Sequence, residues 1–350
     1  MTGWYSIIPA GTIAIGNLTP VGQNSGQVGC RWPPNGHHLA ACLKLPTPEQ
    51  DPQKRKCQLW GPFWYNEIDI YVTLPLPVYA VGELNPNDIP TSIYRMQWRD
   101  GRWQVRTEDE KEKIEIIGGR FLIGGNSLQA LWEEEYLTRV ELERFPWETL
   151  TLSHNSREDF QVKDEGGFFA EKTTWMKQGW SILVKIIGDY EPPTYGILGA
   201  GSTPVAIKPV KYLNDDWLQG ACADRNYSEG LEITNSTGAV LLTGALWQNE
   251  NRQESVPYPP LSTKAYAADV GIPWQTWKKV KHRDEKNNPN AKKRVQALTP
   301  GEWMTPAGAV YLWDKVPPVK VSAPLPNYYN PNDNRYILGY GHLWLFKDKE

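Results

Sequence analysis

Two stretches decide the fold, YGILGAGSTPVAI at residues 195–207 and YILGYGHLWLF at residues 336–346. Each places a Gly-x-Gly turn directly before an apolar run typical of a strand, and about 140 residues separate them. Glycine permits a turn with positive φ and lets backbone amides approach a phosphate or a neighbouring chain, because no Cβ stands in the way. A lone Gly-x-Gly is more often a plain tight turn. The duplication predicts that each half of the chain ends in the same device.

The segments around these turns predict an α+β fold with more strand than helix. A short helix is expected at 38–43, closed by Pro46, and a longer one at 127–143, capped by Ser127 and ended by Pro146. A turn at Lys177-Gln178-Gly179 should join two strands into a hairpin. The predicted strands and apolar runs cover residues 3–8, 68–81, 167–175, 180–187, 203–211, 238–247, 307–313 and 337–346.

The composition describes a folded globular protein. The chain has 350 residues, of which 40% are hydrophobic and 22% charged, with a net charge of -3. That length favours two domains, and overall charge identifies no partner. The 17 Trp and 17 Tyr residues supply many flat amphipathic rings, which suit nucleobases, sugars or protein surfaces.

The sequence contains none of the common signatures of targeting or catalysis. Its N-terminus has no basic region leading into an apolar stretch, and no window reaches the roughly 18 apolar residues of a membrane span, so we expect a cytoplasmic protein without a membrane partner. No Walker A loop, Gly-x-Ser-x-Gly elbow or His-Glu-x-x-His occurs. The charged residues 105–115 and Glu133 to Glu135 are interpreted as solvated faces. We therefore expect no catalytic site, no metal and no cofactor.

Neither the cysteines nor the histidines form a metal-binding pattern. The cysteine spacings match no zinc or redox pair, which indicates buried free thiols in a reducing compartment, and the scattered histidines predict surface or half-buried positions. The residues concerned are Cys30, Cys42, Cys57 and Cys222, and His37, His38, His154, His282 and His342.

One segment, WKKVKHRDEKNNPNAKKRV at 277–295, is strongly basic, with eight basic residues against two acidic ones and a net charge of +6. Trp274 and Trp277 open it, and Asn287-Asn288-Pro289-Asn290 predicts a turn. The pattern indicates a basic hairpin able to lie along a phosphate backbone, and the alternative is a solvated loop. The basic residues are Lys278, Lys279, Lys281, Arg283, Lys286, Lys292, Lys293 and Arg294.

Together these segments resemble one family, the RAMP-superfamily subunit that binds the crRNA 5′ tag in the type III-B (Cmr) CRISPR effector complex. The resemblance spans about two-thirds of the chain, from near residue 118 to the end. A departure lies at 13–27, where IAIGNLTPVGQNSGQ replaces the family's aromatic, Arg, Asp and Pro-Phe run, so no RNA contact is assigned there. The matching motifs, in the family's order and spacing, are GGRFLIGGNSLQALW at 118–132, DEGGFFAEKTTWMKQGWSILVKI at 164–186, YGILGAGSTPVAI at 195–207, TPAGAVYLW at 305–313 and YILGYGHLWLF at 336–346.

The resemblance implies a RAMP fold of two ferredoxin-like (RRM-like) halves with insertions, at 1–211 and 212–350, each with a glycine-rich loop between its second helix and last strand. It implies a non-catalytic, RNA-binding subunit in antiviral defence that grips the crRNA 5′ tag. The other implied partners are the large polymerase-like Cas subunit and the backbone RAMP subunits. The implied RNA-binding residues are Gly339, Tyr340, Gly341, His342, Gly199, Gly201 and Ser202, together with Lys278, Lys279, Lys281, Arg283, Lys292, Lys293 and Arg294 of the basic hairpin.

A second function class stays open at this point. Trp and Tyr rings also stack on sugars, so the composition is compatible with a carbohydrate-binding, aromatic-rich β protein. The basic hairpin and the absence of a signal peptide favour RNA over sugar.

Overall fold

The computed structural model describes residues 2–16, 26–28, 30–46, 57–85, 87–155, 157–158, 161–162, 168–219, 231–232, 237–247, 254–259, 263–275, 277–281, 294–298, 301–313, 320–321 and 336–347. Within these ranges the protein is mainly β-sheet with a few short helices, and in this coarse sense α+β. The α-helices are α1 Gly36–Cys42, α2 Gly125–Glu134 and α3 Asp216–Gln219, and 3₁₀ turns cover Thr107–Asp109 and Tyr336–Leu338.

The strands are β1 Gly3–Pro9, β2 Gly26–Val28, β3 Gln58–Tyr65, β4 Ile70–Thr73, β5 Val78–Val81, β6 Ser92–Arg95, β7 Gln97–Arg99, β8 Arg102–Gln104, β9 Ile114–Ile116, β10 Leu122–Gly124, β11 Tyr136–Thr138, β12 Leu142–Glu143, β13 Trp147–Asn155, β14 Arg157–Glu158, β15 Gln161–Val162, β16 Phe168–Met176, β17 Ser181–Ile187, β18 Tyr195–Leu198, β19 Thr203–Val210, β20 Leu231–Glu232, β21 Gly238–Leu241, β22 Thr263–Ala267, β23 Ile272–Trp274, β24 Trp277–Lys281, β25 Arg294–Leu298, β26 Glu302–Met304, β27 Val310–Trp313, β28 Lys320–Val321 and β29 Leu343–Phe346.

An eight-stranded sheet in the order β12-β10-β4-β3-β17-β1-β19-β18 forms the centre of the N-terminal part. Its strands β3 and β17 are apolar at nearly every position because both faces of the sheet are covered, so the usual alternation of polar and apolar residues is missing. Phe63 and Leu183 lie in one core cluster, whereas Trp64 and Ile182 lie in the other, which also contains Leu39 of α1. The strand pairing therefore separates two hydrophobic layers.

A four-stranded sheet in the order β22-β27-β21-β29 forms the centre of the C-terminal part. Trp344 of β29 packs edge-to-face on Trp132 of α2, with ring centroids 6.0 Å apart, so this sheet shares a core with the N-terminal part. Residues 211–219 connect the two parts along the large sheet. There Asp215 accepts hydrogen bonds from the Lys185 ammonium, at 3.0 Å, and from the Trp4 indole, at 2.9 Å.

The structure confirms several elements predicted from local pattern. The strands at 3–8 and 203–211 are β1 and β19, and the short helix at 38–43 is α1. That helix begins at Gly36 because Asn35 caps it, with its side chain accepting hydrogen bonds from the backbone N–H groups of His37 and His38. The apolar runs of the C-terminal part contain β21, β27 and β29, although each strand is shorter than its run.

The helix predicted over 127–143 is wrong in its second half. Helix α2 ends at Glu134 because Glu135 adopts a left-handed conformation, with φ of 67°, and the chain then enters β11 and β12. At the other end the N-cap is Gly124, so Ser127 lies inside the helix. The turn and the pairing of β11 with β6 override the helical spacing of the apolar residues.

Two strand predictions also need correction. The strand expected over 68–81, running into an edge broken by prolines, is two strands in different sheets, β4 and β5, because Pro75 and Pro77 interrupt the hydrogen-bonding ladder. The hairpin expected from 167–175 and 180–187 does not form, although both strands exist. Strand β16 pairs with β13 and β2, whereas β17 pairs with β1 and β3.

The first half lacks the second helix of a β-α-β-β-α-β unit. Residues 188–202 are all described, and they contain β18 and turns instead of a helix. Pro192 and Pro193 disfavour a helix here, as do the glycines at 196, 199 and 201. The first glycine-rich loop therefore joins two paired strands, β18 and β19.

Two predictions about exposure are also wrong. Within the solvated segment 105–115, Asp109 is buried, and its carboxylate accepts hydrogen bonds from Tyr79, at 2.6 Å, and Arg106, at 2.9 Å. His342, expected at a surface or half-buried position, is 1% exposed. The prediction of buried free thiols is confirmed for Cys42 and Cys57. Cys30 is also a free thiol but only partly buried. Cys222 lies outside the described residues.

Candidate nucleic-acid interface

The second glycine turn, Gly339-Tyr340-Gly341, is buried. A Cβ on Gly339 would lie 2.8 Å from the carbonyl oxygen of Gly61, and φ at Gly339 is +85°. Gly341 donates its N–H to the Gly244 carbonyl over 3.1 Å and packs against the Trp247 ring. Close packing between two parts of the same chain therefore explains why glycine is needed at positions 339 and 341, without any ligand.

Tyr340, between the two glycines, joins the N-terminal and C-terminal parts. Its hydroxyl lies 2.9 Å from His37 Nδ1 and accepts a hydrogen bond from the Trp274 indole at 3.1 Å. The ring is 4% exposed and is perpendicular to that of Trp274. Trp274, predicted to introduce the basic hairpin, is instead a buried residue of β23.

His342 follows the turn and is packed among rings. Its imidazole is parallel to Phe63, with centroids 6.3 Å apart, and meets Trp60 edge-on at 4.9 Å. Burial lowers the pKa of His342 to about 3, so the ring is neutral at physiological pH. Its role as an RNA contact stays a prediction, and in this structure the side chain belongs to the core.

An aromatic cleft opens beside the second glycine turn. Its lining includes the rings of Trp32, Trp64, Phe145 and Trp147, and also Gly339, Tyr340, Met304 and Ala307. The cavity volume is about 240 Å³. The ring centroids of Trp64 and Trp147 lie 4.4 Å apart, and those of Phe145 and Trp147 lie 4.7 Å apart. The cleft is therefore lined by a cluster of rings in contact, of which Phe145 and Trp147 are stacked and the others are tilted or edge-on.

A bulge in β3 gives the cleft its floor. Phe63 pairs with Leu183 and Trp60 pairs with Lys185, so Gly61 and Pro62 together lie opposite a single residue of β17. Gly61 has φ of +127°, and both bulge residues line the cleft. Because Gly339 packs on the Gly61 carbonyl, the bulge and the second glycine turn meet at this point.

The first glycine turn, Gly199-Ala200-Gly201, is in contrast at the surface. Gly199 has φ of +80° and packs on the Ala14 carbonyl, and Ala200 donates its N–H to the same oxygen over 2.6 Å. Gly201 and Ser202 are exposed, and a Cβ on Gly201 would meet nothing within 4 Å. The backbone of this turn is accessible to a ligand or a neighbouring subunit.

The basic hairpin pairs as its sequence predicts. Strands β24 and β25 are antiparallel, from Trp277 opposite Leu298 to Lys281 opposite Arg294. Lys278, Lys279, Lys281 and Arg294 belong to these strands, whereas Arg283, Lys286, Lys292, Lys293 and the predicted Asn-Pro turn lie outside the described residues. The pairing confirms a hairpin at residues 277–281 and 294–298, and the alternative of a solvated surface segment stays open.

A surface groove that the sequence analysis missed runs over the end of the large sheet. It has a volume of about 560 Å³ and is lined by Lys208, Lys211 and Tyr212, together with Tyr65 of β3 and Trp180, which precedes β17. The Tyr212 ring is 92% exposed, and Glu67 is a negatively charged residue in the same lining. The signal that could have found it is the polar residue at Lys208 inside the apolar strand β19, next to a Lys-Tyr pair at 211–212.

The described residues offer no metal centre and no membrane segment. In the described ranges no group of three or more His, Cys, Asp or Glu side chains is placed to hold a metal ion. No helix in the same ranges has the length and apolar character needed to cross a bilayer.

The fold and these surfaces define a mainly β protein that combines clustered aromatic rings with a two-stranded ribbon of basic sequence, and proteins that bind single-stranded nucleic acid use both features. No protein-family model matches the chain, and no curated protein matches it.

Similar solved structures do exist. One is a chain in the cryo-EM structure of the Type III-B Cmr-beta bound to cognate target RNA, with 9% identity and a TM-score of 0.43 over 88% of this chain and 86% of that chain. Another is a chain in the crystal structure of the Csm3-Csm4 subcomplex in the type III-A CRISPR-Cas interference complex, with 7% identity and a TM-score of 0.34 over 90% of this chain and 94% of that chain. Because these identities and TM-scores are low, the functional proposal rests on the residues of this chain.

Proposed function

We propose that this chain is a non-catalytic, RNA-binding subunit of a type III CRISPR-Cas effector, which grips the 5′ tag of the crRNA and docks the large polymerase-like subunit. The observation that carries the RNA-binding part is the antiparallel pairing of β24 with β25. This pairing holds the strands of a segment of net charge +6 in one ribbon, within a chain of net charge -3.

Such a ribbon matches the chemistry of a nucleic-acid backbone. Phosphates attract lysine and arginine, and the release of condensed counterions makes this attraction depend steeply on salt. The pairing joins the backbones of residues 277–281 and 294–298, which carry Lys278, Lys279, Lys281 and Arg294. A neutral sugar has no negative charge to attract clustered basic residues. The ribbon therefore favours RNA over a carbohydrate ligand.

The finer roles rest on the motif resemblance. The tag contact is assigned to Gly199, Gly201 and Ser202 and to the Gly339–His342 segment, and the partners are the large subunit and the backbone RAMP subunits. In the structure only the first of the two turns is open to a ligand. The subunit is proposed to hold RNA without cutting it. Divalent-metal-dependent cleavage by a contaminant-free preparation would contradict that part.

Charge reversal of the hairpin tests the proposal. Lys278, Lys279, Lys292 and Lys293 are replaced by Glu, and RNA affinity is measured from low to high salt. Each lost phosphate contact on a single strand removes roughly 0.7 from the log–log salt slope, and affinity near physiological salt should fall on the order of a hundredfold. The matched control reverses four exposed lysines elsewhere, Lys111, Lys172, Lys177 and Lys347, and so changes net charge equally. If RNA affinity falls equally in both variants, the hairpin acts only through the overall charge of the protein and is not an RNA-binding site.

Sequencing of co-purified RNA tests the finer role. A shared 5′ end across many different spacers is expected in the assembled complex. A random RNA population would contradict the tag assignment, and a complete absence of RNA would favour the carbohydrate alternative.

A further inference from the structure

The large sheet ends at β18, and neither the glycine turns nor the basic hairpin explains the features of this edge strand. Strand β18 pairs with β19 on one side, and no described strand pairs with its other side. We propose that this edge is a protein docking site, at which an extended segment of a neighbouring subunit adds a strand to the sheet. The inference rests on the proposed function insofar as the neighbour is a subunit of the same effector.

The register of β18 and β19 shows which backbone groups point to the open edge. Opposite residues in an antiparallel pair alternate between hydrogen-bonded pairs and pairs without hydrogen bonds. Thr194 accepts a hydrogen bond from the N–H of Ile207, which lies opposite it, so the next residue, Tyr195, forms none with β19. The same holds for Ile197, which lies opposite Pro204. The N–H and C=O groups of Tyr195 and Ile197 therefore point away from β19.

These four backbone groups have no hydrogen-bond partner in the described part of the chain. Equivalent groups two residues apart on a strand repeat about every 6.8 Å. The edge therefore offers two donors and two acceptors at the spacing of a β-strand, which another extended polypeptide matches. Main-chain hydrogen bonds of this kind provide the affinity when a peptide adds a strand to a sheet.

The side chains of β18 divide into a packed face and an open face. A Cβ on Gly196 would lie 2.5 Å from the carbonyl oxygen of Cys42 in α1, and Leu198 is buried in the same core cluster as Cys42. On the other face, Tyr195 is 71% exposed and Ile197 is 59% exposed. An added strand with apolar residues at alternate positions would cover both of these side chains.

The edge also lacks the protection that exposed edge strands usually have. Charged residues, proline or a very short length commonly prevent such strands from pairing with another chain. The sequence of β18, YGIL, contains neither a charged residue nor proline, whereas β12 at the opposite edge of the sheet has only two residues. In the edge strand β9, the exposed Ile116 is preceded by Glu115, which forms an ion pair with Arg120.

The same backbone groups do not suit a nucleic-acid backbone. Phosphate oxygens only accept hydrogen bonds, so the carbonyl groups of Tyr195 and Ile197 would repel them. Lys44, whose Nζ lies 6.0 Å from the Tyr195 ring centroid, supplies a single cation beside this strand. An RNA strand would leave half of the edge groups unsatisfied, whereas a polypeptide strand satisfies all four.

Two substitutions at one position separate the backbone from the side chain. Ile197→Pro removes an edge N–H but no hydrogen bond to β19, and the proline at position 204 directly opposite shows that this row accommodates the residue. The matched control is Ile197→Thr, which keeps the N–H and a β-branched side chain but is less apolar. Both variants should unfold near the temperature of the parent protein.

The experiment titrates the full chain into the complex of the large and backbone subunits purified without it. Ile197→Pro should weaken binding about thirtyfold or more, because the lost donor leaves a carbonyl of the neighbour unpaired and the ring obstructs the added strand. Ile197→Thr should weaken it about fivefold or less. In the parent complex, the amides of Tyr195 and Ile197 should exchange hydrogen about tenfold or more slowly than in the free chain. This exchange measurement needs no variant, so it decides the proposal even if the proline variant does not fold.

The possible results are distinguishable. Unchanged exchange at both amides in the complex, equal weakening by both variants, or no binding to the other subunits would overturn the edge proposal. Salt-dependent RNA binding would in each case leave the RNA-binding part of the proposed function intact. If the chain binds no RNA but both amides become protected in the complex, the proposed function fails and the edge proposal stands. Protection that appears in the free chain as its concentration rises, or on addition of RNA alone, would assign the edge to a second copy or to RNA and overturn the proposal.

Discussion

The two Gly-x-Gly turns share a pattern in the sequence and differ in their surroundings. The first glycines are alike: Gly199 and Gly339 have φ of +80° and +85°, and each packs on a backbone carbonyl of a distant segment. The second glycines differ, since Gly201 has open space around it and Gly341 lies against the Trp247 ring. One turn is therefore half open to solvent, and the other is enclosed between the two parts of the chain.

The difference teaches that the motif specifies a backbone shape and a close approach, whereas the neighbours decide whether a ligand can reach it. On sequence grounds alone, a bulky residue at Gly341 is expected to abolish tag binding and to leave the fold largely intact. The structure contradicts that expectation, because the Cβ alone would lie 3.0 Å from Trp247 in a conformation with φ of +75°. The first turn is the better place to test ligand contact.

The largest effect is expected at the buried turn. Gly339→Ala places a Cβ against the carbonyls of Gly61 and Leu59, at 2.8 and 2.9 Å, in a left-handed conformation. We expect a loss of about 3 kcal/mol in the free energy of unfolding, measured by equilibrium denaturation. Gly101→Ala is the control, because Gly101 has φ of +76° and open space, so it reports the conformational strain alone, about 1 kcal/mol. Equal losses in both variants would show that the close approach is unimportant.

A second effect concerns pH at His342, next to the buried turn. Its folded pKa of about 3 lies below the unfolded value of 6.5, so below pH 6.5 the unfolded chain binds a proton that the folded chain does not. The free energy of unfolding should therefore show no loss from His342 above pH 6.5 and should decline as the pH falls towards 3. At pH 5 this residue should account for a loss of about 2 kcal/mol. His38, whose pKa burial and Arg31 lower to about 4, acts in the same direction. His342→Phe should flatten the pH dependence of unfolding, and an unchanged slope would contradict the assignment.

A smaller effect is expected from the hydroxyl of Tyr340. Tyr340→Phe removes the acceptor for the Trp274 indole and the contact with His37 Nδ1, while the ring remains in place. The free energy of unfolding should fall by about 1 to 2 kcal/mol. The matched control is Tyr195→Phe, because the Tyr195 ring is 71% exposed. If the free energy of unfolding falls in neither variant, or falls equally in both, the Tyr340 hydroxyl does not couple the two parts of the chain.

The smallest effect on stability is expected at the open turn. Gly201→Leu adds a side chain where nothing lies within 4 Å of the Cβ, so the free energy of unfolding should change by no more than about 0.5 kcal/mol. If backbone amides of this turn approach the RNA, affinity for 5′-tagged RNA should fall while affinity for untagged RNA stays the same. Unchanged affinity for both would assign the turn to a subunit contact or to packing.

Local pattern predicted those elements whose apolar residues and stop signals lie close together in the chain. Strand β1, strand β19 and helix α1 are of this kind, and so is the pairing of β24 with β25. The end of α2 was not predictable in this way, because it depends on a left-handed Glu135 and on the pairing of Leu137 with Ile93. The expected hairpin failed for a similar reason, since β16 and β17 find better partners far away in the chain.

The aromatic cleft shows most clearly what local sequence pattern cannot predict. Its rings come from positions 32, 64, 145 and 147, and other lining residues come from positions 304, 306, 307, 339 and 340, so no short window of sequence contains it. The abundance of tryptophan indicated that flat surfaces would exist somewhere, but composition does not place them.

By itself, the sequence determined where the backbone must turn with positive φ, where charge accumulates and which short runs become strands, because sterics, charge and local apolar pattern act over a few neighbouring residues. Only the tertiary structure decided which glycine turn is enclosed, which histidine loses its charge and which rings form a cleft. Burial and close approach are properties of segments that are distant in the chain, and they arise only when both faces of the large sheet are covered.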